Sequence, residues 1–275
     1  MMSESKTINT GRNLPVATVV GLAMMAAIIG SLALYPVLFA ALAAGMGAMA
    51  ARELMAFDSA TSARLPRGTI LIAVPFVIFA AYFEGIERAG VWLAAWCIVI
   101  ALRRLQGGVE FYARDTAASL AIVLYTGFLL AFAADLAHSE NALGRVMTLV
   151  LLTSANDTGG YFAGIMFGRH PMVPAISPKK SWEGFAGSVG LAVIIGAFAV
   201  PHLVVITPFQ GALFGALMAC SATAGDLIES AIKRDAGIKD SGNSIPGHGG
   251  FLDRIDSQLL NAPVAWVALT LVFGV

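Results

Sequence analysis

Apolar runs about 20 residues long recur along the chain, and each is close to the length that crosses a ~30 Å hydrocarbon core as a helix. A chain patterned this way folds as packed transmembrane helices. Composition agrees: 58% of the 275 residues are hydrophobic and 12% are charged, and the mean hydropathy is +0.80. A soluble domain carries about 25% charge. Cys97 and Cys220 lie inside apolar runs and read as buried small hydrophobes.

The runs predict nine helices, at about 14–30, 33–51, 69–83, 90–102, 116–137, 146–167, 184–203, 209–232 and 257–275. Residues 1–13 resemble the start of a signal peptide, but the apolar run after them is too long and continues into a second span. An uncleaved first helix is expected. With the N-terminus in the cytoplasm, only Arg88 and Arg145 of the 17 basic residues fall outside, as the positive-inside rule demands. The expected fold is an all-α polytopic membrane protein with about nine transmembrane helices and a cytoplasmic N-terminus. A polar cavity in the C-terminal half would open to the cytoplasm. Residues 1–145, helices 1–5, read as scaffold, and residues 146–275, helices 6–9 with their loops, as the functional half. The expected location is the cytoplasmic (inner) membrane of a bacterium, and nucleic acid is not an expected partner.

Four polar stretches interrupt the apolar pattern. Asn156-Asp157-Thr158-Gly159-Gly160 lies inside the sixth span, where a carboxylate costs about 2.5–3.5 kcal/mol on insertion scales. Asp157 therefore lines a cavity or pairs with a basic side chain of a neighbouring helix. Ser177-Pro178-Lys179-Lys180-Ser181-Trp182-Glu183-Gly184 runs into the seventh span. Ser181 fits an N-cap, Glu183 the first turn, and the two lysines beside the free helix N–H groups suggest an anion site. Lysines that only set topology are the plainer reading.

Asp226, Glu229, Ser230 and Lys233 fall at offsets 0, 3, 4 and 7, on one helical stripe. Two carboxylates there need a metal or the neighbouring Lys233 and Arg234. Past Lys239 and Asp240, Pro246-Gly247-His248-Gly249-Gly250 allows a tight turn and close backbone approach to a ligand. Asp253 and Asp256 then share a face at the start of the last helix, with Arg254 between them. These aspartates are hard oxygen ligands that suit Mg²⁺, with two cations bridging a triphosphate as one arrangement. The plainer reading is a topogenic loop with capping aspartates. His248 reads equally as a base or as a structural donor. His138, His170 and His202 receive no role.

The run Ser230-x-x-Lys233-Arg234-x₄-Lys239-Asp240, followed by Pro246-x-His248-Gly249-Gly250-Phe251-x-Asp253-Arg254-x-Asp256, resembles the signature of the phosphatidate cytidylyltransferases, or CDP-diglyceride synthases. Asp157-Thr158-Gly159, the Ser177–Gly184 stretch and Gly225-Asp226-x-x-Glu229-Ser230 are also similar to that family. The resemblance covers residues about 150–260. It implies the reaction of CTP with phosphatidic acid to give CDP-diacylglycerol and pyrophosphate, with Mg²⁺, in a nine-helix homodimer among membrane lipids. Asp226, Asp253 and Asp256 would hold metal. Lys233, Arg234, Lys239, Lys179 and Lys180 would neutralise phosphates. Asp157, Ser177, Ser181, Glu183, Ser230, His248, Gly249, Gly250 and Arg254 would line the substrate site.

Two other readings use the same charges. A CTP-dependent lipid or polyprenol kinase would transfer the γ-phosphoryl group and release CDP. An ion-coupled transporter would place its acids near the midplane on broken helices. Here the acids crowd helix ends and alternate with basic residues, which favours a nucleotide site.

Overall fold

The computed structural model of this protein describes residues 14–57, 63–239, 241–242, 244 and 249–275. Among these residues the chain forms nine α-helices, one short 3₁₀ turn (Val200–His202) and one two-stranded sheet, counting a helix that runs through a π turn as one. In order they are α1 (Leu14–Leu34), α2 (Pro36–Phe57), α3 (Arg67–Glu84), α4 (Ile86–Leu105), α5 (Tyr112–Leu136) and α6 (Ala142–Phe167). Strands β1 (Pro171–Val173) and β2 (Ser177–Ser181) follow, then α7 (Trp182–Phe198), α8 (Pro208–Asp235) and α9 (Leu252–Val272).

Six of the helices, α2, α3, α5, α7, α8 and α9, are long and apolar enough to cross a membrane. The protein is a polytopic membrane protein. The described apolar part of α1 is shorter. Charges near both ends of α4 (Glu87, Arg88, Arg103, Arg104) and the Arg145 and Asn156-Asp157 of α6 interrupt those two.

Helix ends follow local chemistry. Tyr35 separates α1 from α2, which starts with Pro36 in the first position. Gly85, at φ +88°, ends α3 where an L side chain would be strained. Thr207 and Gln210 form a capping box at the start of α8, again with Pro at the first position. The third and fourth helices run 18 and 20 residues, longer than their apolar runs alone suggest. The last begins at Leu252 rather than near 257, so Asp253, Arg254 and Asp256 are helical.

The all-α expectation needs one correction. Residues 171–181 form an antiparallel hairpin, with Pro171 opposite Ser181 and Val173 opposite Ser177. Pro171, Pro174 and Pro178 exclude helix here, and a two-stranded ribbon tolerates proline at its open edges.

One apolar core joins α2, α3, α5, α6 and α9. Helices α6, α7 and α8 form a second, glycine-rich layer. A Cβ on Gly187 of α7 would lie 2.2 Å from Ala163 Cβ and 2.7 Å from Gly159 O of α6. Such close backbones are how helices associate where lipid offers no hydrophobic drive. Gly187→Val is expected to lower the melting temperature in detergent, by overpacking that costs about 1–3 kcal/mol. Gly190→Ala, with open space around it, is expected to leave the melting temperature unchanged or raise it slightly.

Candidate active site

The hairpin ends where α7 begins, and this junction faces the ends of α6 and α8. Ser181 caps α7, its Oγ accepting from Gly184 N at 3.1 Å. Trp182 N already donates to His170 O at 3.0 Å, so two N–H groups of the helix start are engaged within the protein. Strand β2 thereby presents Lys179 and Lys180 to a cavity of about 320 Å³. Asn156, Asp157, Ser181, Thr223 and Asp226 also line it.

Lys180 Nζ crosses the cavity to Asp226 Oδ2 at 2.6 Å, and Ser230 Oγ donates to Asp226 Oδ1 at 3.2 Å. Asp157 Oδ1 accepts from Asn156 Nδ2 at 3.0 Å. Asn156 is fixed in turn by Thr223 Oγ1 of α8, at 3.1 Å, and its carbonyl by Ser188 Oγ of α7, at 2.7 Å. Three helices therefore aim one polar wall at the two lysines.

Behind this wall lies a second charge cluster between α8 and α9. Lys233 Nζ pairs with Asp253 Oδ1 at 2.9 Å and with Glu229, its neighbour one turn earlier. Glu229 is fully buried, and Lys233 is the cation that meets it. Asp253 Oδ2 accepts from Gly250 N at 3.0 Å and Ser241 N at 3.3 Å. Asp256 Oδ1 accepts from Ser257 N at 2.6 Å. The charges of Asp157, Asp226 and Asp256 lie close enough to act on one another, so the two clusters are one electrostatic site. Among the described residues no three histidine, cysteine or carboxylate side chains converge as a ready metal-ligand set.

Residues 15–272 match the cytidylyltransferase family. The chain belongs to this family. A phosphatidate cytidylyltransferase of Mycobacterium leprae (strain TN) is 35% identical over 98% of this chain and 91% of its own length. Another, of Mycobacterium tuberculosis (strain ATCC 25618 / H37Rv), is 35% identical over 97% of this chain and 85% of its own. A third, of Thermotoga maritima, is 36% identical over 75% of this chain and 78% of its own.

The structure gathers Asp157, Lys179, Lys180, Ser181 and Asp226 around the cavity, and Ser230, Lys233, Asp253 and Asp256 beside or behind its wall. Other residues singled out from the sequence stand apart from the cavity lining. Ser177 opens β2 opposite Val173. Glu183 accepts from Arg169 N at 3.1 Å and His170 N at 3.2 Å, with His170 Nδ1 at 2.5 Å. It ties the end of α6 to the hairpin. Arg234 donates to the carbonyls of Ile176, at 3.2 Å, and Ile238, at 3.1 Å. Lys239 is exposed beyond the end of α8. Arg254 faces a separate apolar groove together with Phe251 and Gln258, although its charge reaches Asp157. Gly249 has φ +83°, the left-handed turn expected of it. His248 lies outside the described residues.

Two residues of the N-terminal half reach the site without having been singled out. Tyr125, on the π turn of α5, points a buried hydroxyl without a partner toward the charges of Asp226, Glu229 and Asp256. Glu53 of α2 is 7% exposed and binds the segment before α9. An acid inside an apolar run was the available signal for Glu53. Tyr125 gives no such signal.

Lys233→Met is expected to destabilise the protein by about 3 kcal/mol, because it leaves buried carboxylates without their cation. Thermal unfolding in detergent checks this. Arg234→Ala, which gives up only bonds to carbonyl oxygens at the surface, is expected to shift the melting temperature far less.

Proposed function

We propose that this protein is a phosphatidate cytidylyltransferase. It joins CTP and phosphatidic acid to give CDP-diacylglycerol and pyrophosphate. A phosphate oxygen of phosphatidic acid forms the new bond to the α-phosphorus of CTP, and the bond from that phosphorus to the β-phosphate oxygen breaks. The reading rests on one observation above all: Lys179 and Lys180 face Asp226 and Asp157 across a single cavity in a protein otherwise poor in charge.

The lipid phosphate is already an anionic nucleophile, so no strong general base is required. The difficulty is to bring two polyanions together and to stabilise the departing pyrophosphate. Lys179 and Lys180 would take the triphosphate oxygens as charge-assisted donors. Lys180 can exchange Asp226 for a phosphate without leaving the cavity. Lys233 would hold Asp253 in place and lower the repulsion among the acids. Arg254 sits where its charge is shared between the apolar groove and Asp157, which suits a lipid phosphate whose chains remain in an apolar surround. Arg234 and Lys239 would add positive charge at the mouth.

The chemistry of the site's acids suits a divalent cation, although among the described residues no three of them converge on one point. Asp226, Asp253 and Asp256 are hard oxygen ligands, and the charges of Asp226 and Asp256 act on each other. These three aspartates would hold Mg²⁺, alone or with a second cation. When bound, the metal neutralises the triphosphate and the developing charge on pyrophosphate.

We read all nine helices as crossings, with the N-terminus and the cavity on the cytoplasmic side of a bacterial inner membrane, and the working form as a homodimer. Incubation with phosphatidic acid, Mg²⁺ and CTP labelled at the α- or γ-phosphate tests the reaction. α-Label in the lipid and γ-label in pyrophosphate are expected, with loss of turnover in a chelator. Asp253→Asn is expected to lower the rate at least about 100-fold. γ-Label in a lipid alcohol with release of CDP would instead indicate a kinase, and turnover unaffected by chelation would overturn the metal assignment.

A further inference from the structure

Glu53 belongs to α2, far in sequence from the acids of α8 and α9, yet its carboxylate is filled by donors from the segment that joins those helices. Oε1 accepts from Ser244 Oγ at 2.7 Å and Phe251 N at 3.0 Å. Oε2 accepts from Leu252 N at 2.9 Å and Ser241 Oγ at 3.2 Å. Two of the four donors are N–H groups at the start of α9, where an anion also meets the positive end of the helix dipole. The other two are serine hydroxyls of the preceding segment. One carboxylate thus joins both sides of the turn.

The turn leads directly into Asp253. Ser241 donates its hydroxyl to Glu53 and its N–H to Asp253 Oδ2, while Gly250 N donates to the same oxygen. Asp253 Oδ1 then meets Lys233. The order is Glu53, Ser241, Asp253, Lys233, and each link is a hydrogen bond or an ion pair. The packing leaves no slack: a Cβ on Gly250 would lie 1.9 Å from Ser241 Oγ and 2.7 Å from Glu53 Oε2. Among the described residues Glu53 has no ion-pair partner. Its charge is balanced by hydrogen-bond donors alone, which are directional and fix a geometry in a way a loose ion pair does not.

We propose that Glu53 is a positioning residue for catalysis. From the N-terminal half it locks Ser241, Ser244 and the first turn of α9 so that Asp253 stays aimed at Lys233, in the cluster behind the cavity wall. Glu53 does not touch the cavity itself. The proposal rests on the cytidylyltransfer reading for its activity readout, but its structural readout, amide exchange at Gly250–Leu252, does not.

The test uses the full chain in detergent. Glu53→Gln keeps the size but replaces one acceptor oxygen with an NH₂ that faces donors. It is expected to lower kcat about 10–100-fold, as a small misplacement of a reacting group does. KM for CTP should stay within about threefold, and amide exchange at Gly250–Leu252 should accelerate. Ser244→Ala removes one of the four bonds and is expected to lower kcat several-fold with faster exchange, so it carries the test if Glu53→Gln fails to fold. A kcat within twofold of wild type in either variant would overturn the proposal. So would a fall in kcat with exchange unchanged, which would mean that Glu53 acts on substrate directly. A wild-type protein that turns over neither substrate would count against the reaction, while the exchange measurement would still decide whether the clamp exists.

Discussion

Lys233 holds two carboxylates from different helices, Glu229 on its own and Asp253 on α9, inside a membrane protein that has little water to offer them. A buried acid without a partner costs several kcal/mol, so this contact fixes how α8 and α9 sit against each other. With α9 placed, Asp256 comes within reach of Asp157 and Asp226, and the wall of the cavity is set. The same logic repeats on the far side, where Lys180 of the hairpin meets Asp226. The site is a set of acids kept apart by lysines, and a polyanionic substrate is the kind of ligand that can enter by exchanging with those acids.

The N-terminal helices do more than surround this site. Tyr125 approaches the acids from α5, and Glu53 of α2 grips the start of α9. The shared apolar core, which runs from α2 and α3 through α5 to α9, gives these two residues a rigid base. A second buried pair, Arg104 with Asp115 at 2.7 Å, fixes the joint between α4 and α5.

Much of this was legible in the sequence because membrane helices announce themselves by length and apolarity. Each of the nine apolar runs has a helical counterpart among the described residues, and the Asp226–Lys233 stripe follows from helical periodicity alone. Boundaries were less legible where charge and helix coincide: α9 starts five residues early because Glu53, distant in sequence, caps it. The hairpin was hidden because its cues, three prolines and two lysines, read equally as a loop. Arg104 and Arg145 count as loop charges by topology. They are instead buried, Arg104 against Asp115 and Arg145 against Thr270. In each case the missing information was a partner far away in the chain.

The central claim is that the charges of β2, α8 and α9 work as one site rather than as independent contacts. A double-mutant cycle on Lys180→Gln and Asp226→Asn, read as kcat/KM for CTP, tests it most directly. Each single change should cost about 100-fold or more, and the double variant should be no more than about threefold worse than the poorer single. If the two losses instead multiplied, to about 10⁴-fold, Lys180 and Asp226 would be acting independently and the account of a coupled site would be wrong.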